Sequence, residues 1–150
     1  GLLEEGLALQ REMGDKPGIA SSLNNLGHVT TNLGNPARAR ALYHESLTLN
    51  REMGDKFCLV GNLIGLAEIA CRLGVYARAT RLAAAAETLR AAIQGALDPV
   101  EHRAFAETTA TARSAQGEDA FNADWAEGQA LTLEEVVALA LSPDLEISAE

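Results

Sequence analysis

The hexapeptide Arg11-Glu12-Met13-Gly14-Asp15-Lys16 recurs intact as Arg51-Glu52-Met53-Gly54-Asp55-Lys56, forty residues on. The surrounding chain keeps the same step. Leu2, Glu5, Leu7 and Leu9 return as Leu42, Glu45, Leu47 and Leu49; Leu23 and Leu26 return as Leu63 and Leu66; Leu33-Gly34 returns as Leu73-Gly74. A fixed period of this length restricts the chain to stacked units, each too small to bury its apolar face alone. Most recurring residues are apolar or turn-forming, the types a packing unit must keep. Such a chain works through a surface built by stacking, not through a catalytic constellation.

Each unit reads as two helices. Ile19, Leu23, Leu26, Val29 or Thr30, and Leu33 step by three and four, which places them on one face of a helix from about Asp15 to Leu33. Gly34 stops it, and Asn35-Pro36 supplies an N-cap followed by proline at the first helical position. The second helix presents Ala39, Leu42, Tyr43, Ser46, Leu49 and Met53 inward and stops at Gly54, with Asp55 as the next cap. The cycle repeats over 55–95. Residues 1–14 then form a lone second helix whose partner lies upstream, so a face with Leu2, Leu3 and Leu7 invites weak self-association there.

Beyond Gly95 the exact period fails while its outline persists. Asp98-Pro99 opens an amphipathic stretch with Val100, Ala104, Phe105 and Ala112; Gly117 marks a turn; a helix with Trp125 as a core anchor follows to Leu131. Residues 96–131 therefore read as a degenerate third pair. Thr132-Leu133-Glu134-Glu135 has capping-box spacing before Val136 and Val137, so residues 132–141 read as a capping helix over the open end of the stack. Residues 142–150 read as a frayed acidic tail.

Charge is unevenly placed. Residues 1–97 carry ten Lys/Arg and nine Asp/Glu, whereas residues 98–150 carry two and twelve. The acidic third argues against direct nucleic-acid binding, which needs a basic footprint; it suits either a basic partner or plain solvation of helix faces. No apolar run reaches the ~20 residues of a membrane span and no secretory signal is evident, so the expected location is cytoplasmic. Cys58 and Cys71, thirteen residues apart on one helix, stand about 20 Å apart and cannot pair with each other.

Leu23, Leu26-Gly27, Gly34, Ala39 and Tyr43 fall on the spacing of the tetratricopeptide signature, and Leu63, Leu66-Ala67, Gly74, Ala79 and Ala83 fall on it again. The chain thus resembles tetratricopeptide repeats, with a period of forty instead of about 34. Thr30 and Ala70 stand where that family usually has an aromatic. Gly-Asp-Lys-x-Gly-Ile-Ala at 14–20, followed by Asn25-Leu26-Gly27, resembles the long-period repeats of large bacterial regulators of the MalT and LuxR-like type and of related signalling NTPases. The stretch from Gly117 to Glu135 resembles the C-terminal end of such proteins. The resemblance implies an all-α, right-handed α-α superhelix of helical hairpins with a C-terminal capping helix.

It also implies a concave groove lined by the first helix of each pair. The matching positions are Ser21, Asn24, His28, Thr31 and Asn32 in one repeat, and Gly61, Ile64, Glu68, Cys71 and Arg72 in the next. The first set can hydrogen-bond a peptide, and equally fits a solvated face. The Lys/Arg constellation that some members use to grip acidic peptide tails is missing. His28, His44 and His102 are too scattered for a metal motif and no phosphate loop is present. The expectation is a non-catalytic, cofactor-free module of a larger bacterial signalling or transcription regulator, binding a protein, a peptide or other domains of its parent. The alternative is an oligomerisation or intramolecular packing module of a stand-alone repeat protein.

Overall fold

The computed structural model describes residues 1–143, which form eight helices. They are α1 Leu2–Met13, α2 Lys16–Asn32, α3 Pro36–Met53, α4 Lys56–Arg72, α5 Tyr76–Ile93, α6 Pro99–Gln116, α7 Glu118–Ala130 and α8 Leu133–Leu141. Most of the acidic tail expected over 142–150 lies outside the described residues. Among the described residues no helix is long and apolar enough to cross a membrane.

Side chains fix where the helices begin. Asp15 and Asp55 accept from the N–H groups of Gly18 and Cys58 at 3.1 and 3.0 Å, and Asn35 accepts from Arg38 at 3.3 Å. Each satisfies a backbone donor that the first helical turn leaves without a partner. α6 and α8 open with complete capping boxes, Asp98 with Glu101 and Thr132 with Glu135. At the other end, α1 and α3 stop on Gly14 and Gly54 in the left-handed region, φ 68° and 69°. One period later that conformation falls on Gln94, φ 54°.

The hairpins stack in two layers, α2, α4 and α6 in one and α3, α5 and α7 in the other. α4 is central: every residue from Leu59 to Cys71 is buried. Leu59, Leu63 and Ile69 share one core with Leu47 of α3 and Leu82 of α5, each worth roughly 1.5–3 kcal/mol of burial. α1 closes a smaller cluster through Leu7, against Ile19, Leu23 and Leu26. Of the two candidates on α2, Thr30 is buried while Val29 is 40% exposed, and Leu33 projects into solvent from the turn. Trp125 is half-buried, stacked on Phe121 at 5.7 Å and edge-on to Phe105 at 6.3 Å.

α8 turns back along α5. Its first turn meets the end of α3 through Arg51–Glu134 at 2.8 Å, and its last turn meets the start of α5 through Arg78. Between α4, α5 and α8 lies a crevice lined by Leu63, Ala85, Leu89, Leu133 and Val136. Val136, Val137 and Ala140 fill the core there. The Arg78 guanidinium, itself buried, donates to the Leu139 and Ser142 carbonyls at 2.7 and 2.9 Å. A cation there complements the negative end of the helix.

Candidate partner-binding groove

α2, α4 and α6 face one another across a groove that holds three adjoining cavities. One of about 350 Å³ lies toward the ends of α2 and α4, among His28, Asn32, Glu68, Arg72, Arg103 and Glu107. A central one of about 260 Å³ has Asn24, His28, Ile64, Glu68 and Glu101 in its walls. The third, about 410 Å³, lies at the starts of the helices among Ser21, Asn24, Asn50, Asp98 and Glu101.

The first wall has no carboxylate, ammonium or guanidinium group. Ser21 is exposed, Asn24 and His28 are half-buried, and Asn32 is exposed and donates through Nδ2 to the His28 ring at 3.2 Å. Thr31 does not join them. It is buried, and its hydroxyl donates to the Gly27 carbonyl at 2.8 Å. A threonine inside a helix readily bonds back one turn, and here burial leaves no competing water. Thr31 is therefore a packing residue, in correction of its expected place in the groove.

The floor comes from α4. Ile64 is buried beneath the central cavity, and Glu68 is 8% exposed with Oε2 accepting from Arg72 at 2.8 and 3.2 Å. Arg72 also donates to Asn32 Oδ1 at 3.3 Å, which ties α4 to the end of α2. Between the helices, the Tyr43 ring of α3 passes so close to Gly27 and Gly65 that a Cβ on Gly65 would overlap it. Burial, together with the Glu68 carboxylate, holds the Tyr43 phenol well above its usual range.

A buried hydrogen-bond relay fixes the first wall. Asn62 of α4, fully buried, donates through Nδ2 to Asn24 Oδ1 and to Ser46 Oγ, both at 3.0 Å. Ser46 donates to the Ala20 carbonyl at 2.6 Å, and Asn50 Nδ2 donates to Asn62 Oδ1 at 2.7 Å. The relay binds α2, α3 and α4 into one unit. One of its atoms, Asn50 Oδ1, is buried and has no partner.

The sequence reading missed the third wall. Asp98, Val100, Glu101, Arg103, Ala104 and Glu107 of α6 and its cap line the cavities. A signal was present: continuing the forty-residue step from Ser21 and Gly61 reaches Glu101, and from Asn24 and Ile64 reaches Ala104. Glu101 Oε2 lies directly over Gly61, with Asn24 on the other flank, so equivalent positions of consecutive units meet. Burial raises the Glu101 carboxyl above the usual carboxylate range, and Asp98 adds to this although its N–H counteracts it. Cys58, beside the same cavity, is pushed up to about 11 by burial and by Asp55. It is a poor nucleophile there. Among the described residues no group of three or more His, Cys, Asp or Glu could hold a metal ion.

Residues 19–53, most of α2 with its turn and α3, match the family model described as Tetratricopeptide repeat. No curated protein and no solved structure matches the chain. The match and the layered hairpins make this an all-α helical-repeat solenoid, a class whose repeats generally mediate protein–protein interaction.

Proposed function

We propose that the chain binds an extended peptide or protein segment in the α2–α4–α6 groove, without catalysis, as the interaction module of a larger bacterial signalling or transcription regulator. One observation carries the groove: its three cavities adjoin, share residues, and run along polar groups on three consecutive first helices. The amides and imidazole of α2 suit backbone recognition, and Val29, Phe57 and Val100 offer exposed apolar contacts along it. The regulator context rests on the sequence resemblance. In this reading units 15–54 and 55–95, with the pair 96–131, build the groove, and residues 132–141 brace its back.

Selection of displayed twelve-residue peptides on the full chain, followed by calorimetry, tests the groove. Asn25 and Val100 are exposed at its rim. Asn25→Arg or Val100→Arg is expected to weaken selected peptides at least tenfold with the melting temperature nearly unchanged. Peptides that bind both variants as they bind the parent would move the surface elsewhere.

A second reading, packing against another copy or another part of the same polypeptide, is favoured by α1. Leu2, Leu9 and Met13 fall on one face and are 86%, 58% and 69% exposed. Sedimentation of the parent and of Leu9→Glu separates this reading from the first.

A further inference from the structure

We infer that the cavity between the starts of α2, α4 and α6 is an ammonium subsite, taking the amino group of a lysine side chain on the peptide that the groove binds. The inference rests on the groove reading above and adds the chemical class its end selects.

The cavity offers acceptors and no cation. Asp98 and Glu101 line it from one side, Asn50 lies beneath, and no Lys or Arg is in its walls. Asn50 is 2% exposed, its Nδ2 is committed to Asn62, and its Oδ1 has no donor. A buried carbonyl oxygen left unpaired is costly, and a ligand N–H removes that cost.

Geometry distinguishes ammonium from guanidinium. Asp98 Oδ1 accepts from the Glu101 N–H at 2.7 Å and Glu101 Oε1 accepts from the Asp98 N–H at 3.1 Å. Each carboxylate therefore offers one free oxygen instead of the coplanar pair that a guanidinium fork prefers. Single acceptors arriving from different helices suit a compact head with three donors. The same reciprocal bonds occupy two N–H groups at the start of α6, so the helix end repels a cation less than a bare one would. Phe57, 57% exposed, and Leu97 supply apolar walls for a four-carbon stem. The site inverts the cationic clamp for acidic tails, whose residues this chain lacks.

The test is a titration of the isotope-labelled full chain with Nα-acetyl-lysine methylamide and its norleucine counterpart, observed by NMR. The lysine compound is expected to shift the side-chain amide signals of Asn50 and Asn24 and the backbone signals of Asp98 and Glu101, and the norleucine compound to leave them in place. Asp98→Asn with Glu101→Gln keeps both capping bonds possible, and is expected to weaken the lysine effect at least tenfold while the remaining spectrum is retained. Equal shifts from norleucine, or none at Asn50 from lysine, would overturn the subsite. Groove peptides that bind without regard to lysine would remove the subsite and leave the groove. A lysine response in the cavity with no peptide retained by the groove supports the subsite and removes the wider reading.

Discussion

At the residue scale, one turn departs from its equivalent a period earlier. Gly54 and Gln94 occupy equivalent positions and both sit in the left-handed region, φ 69° and 54°. Gly54 holds that conformation without a Cβ clash, whereas Gln94 pays for it. Gln94→Gly is expected to raise stability by about 1 kcal/mol, read as a higher urea midpoint at unchanged slope; a loss would show that the Gln94 side chain does more than the turn requires. Glu101 gives a pH signature. Burial raises its folded-state pKa, so the protonated form favours folding: that contribution is complete below the unfolded value, near 4.5, and is lost as pH rises through the folded one. Glu101→Gln should therefore melt above the parent at pH 7, with the difference vanishing near pH 3. A constant difference across that range would place its cause outside ionisation. Turn and cap residues were legible because each acts locally. Thr31 was not, since the side chain's choice between groove and helix depends on what packs over it.

At the element scale, helix starts and stops could be read to within a few residues, because Asp15, Asn35, Asp55, Asp98 and Thr132 all cap as their spacing implies. Where a helix docks is a different question. The apolar pattern of α8 shows that one face is buried but not against which neighbour. That it lies along α5 and meets the end of α3 through Glu134 is a tertiary fact that no local pattern encodes. The relay through Asn62 is similar: four polar residues from three helices become a network only when the layers meet. Asn62→Leu keeps the branched shape, with a larger volume, but leaves Asn50 Nδ2 and Asn24 Oδ1 without their partners. The expected cost is about 3 kcal/mol, measured by chemical denaturation. A cost below about 1 kcal/mol would mean that the amides find other partners and the three helices are held by packing alone.

At the scale of the molecule, repeat arrays are nearly one-dimensional, with each unit contacting only its neighbours and cooperativity carried across each interface in turn. α8 breaks that rule. It joins the end of α3 to the start of α5 by the Arg51–Glu134 pair and the Arg78 bonds, and it places Val136 and Val137 in the main core. The α3 and α5 hairpins are thereby fastened from behind while their first helices, α2 and α4, hold the groove in front. Ending the chain after Leu131 would strip three buried apolar side chains and leave the Arg78 guanidinium without the Leu139 and Ser142 carbonyls. The lost burial is on the order of 3 kcal/mol. The shortened chain should melt well below the parent, and hydrogen exchange should show α3 and α5 opening at separate free energies where the parent opens both together. Peptide binding should fall with it, because the groove's width depends on how the two hairpins are held. If the shortened chain keeps a single transition at the parent's midpoint, α8 is only an appended helix and the hairpin interfaces alone set the groove.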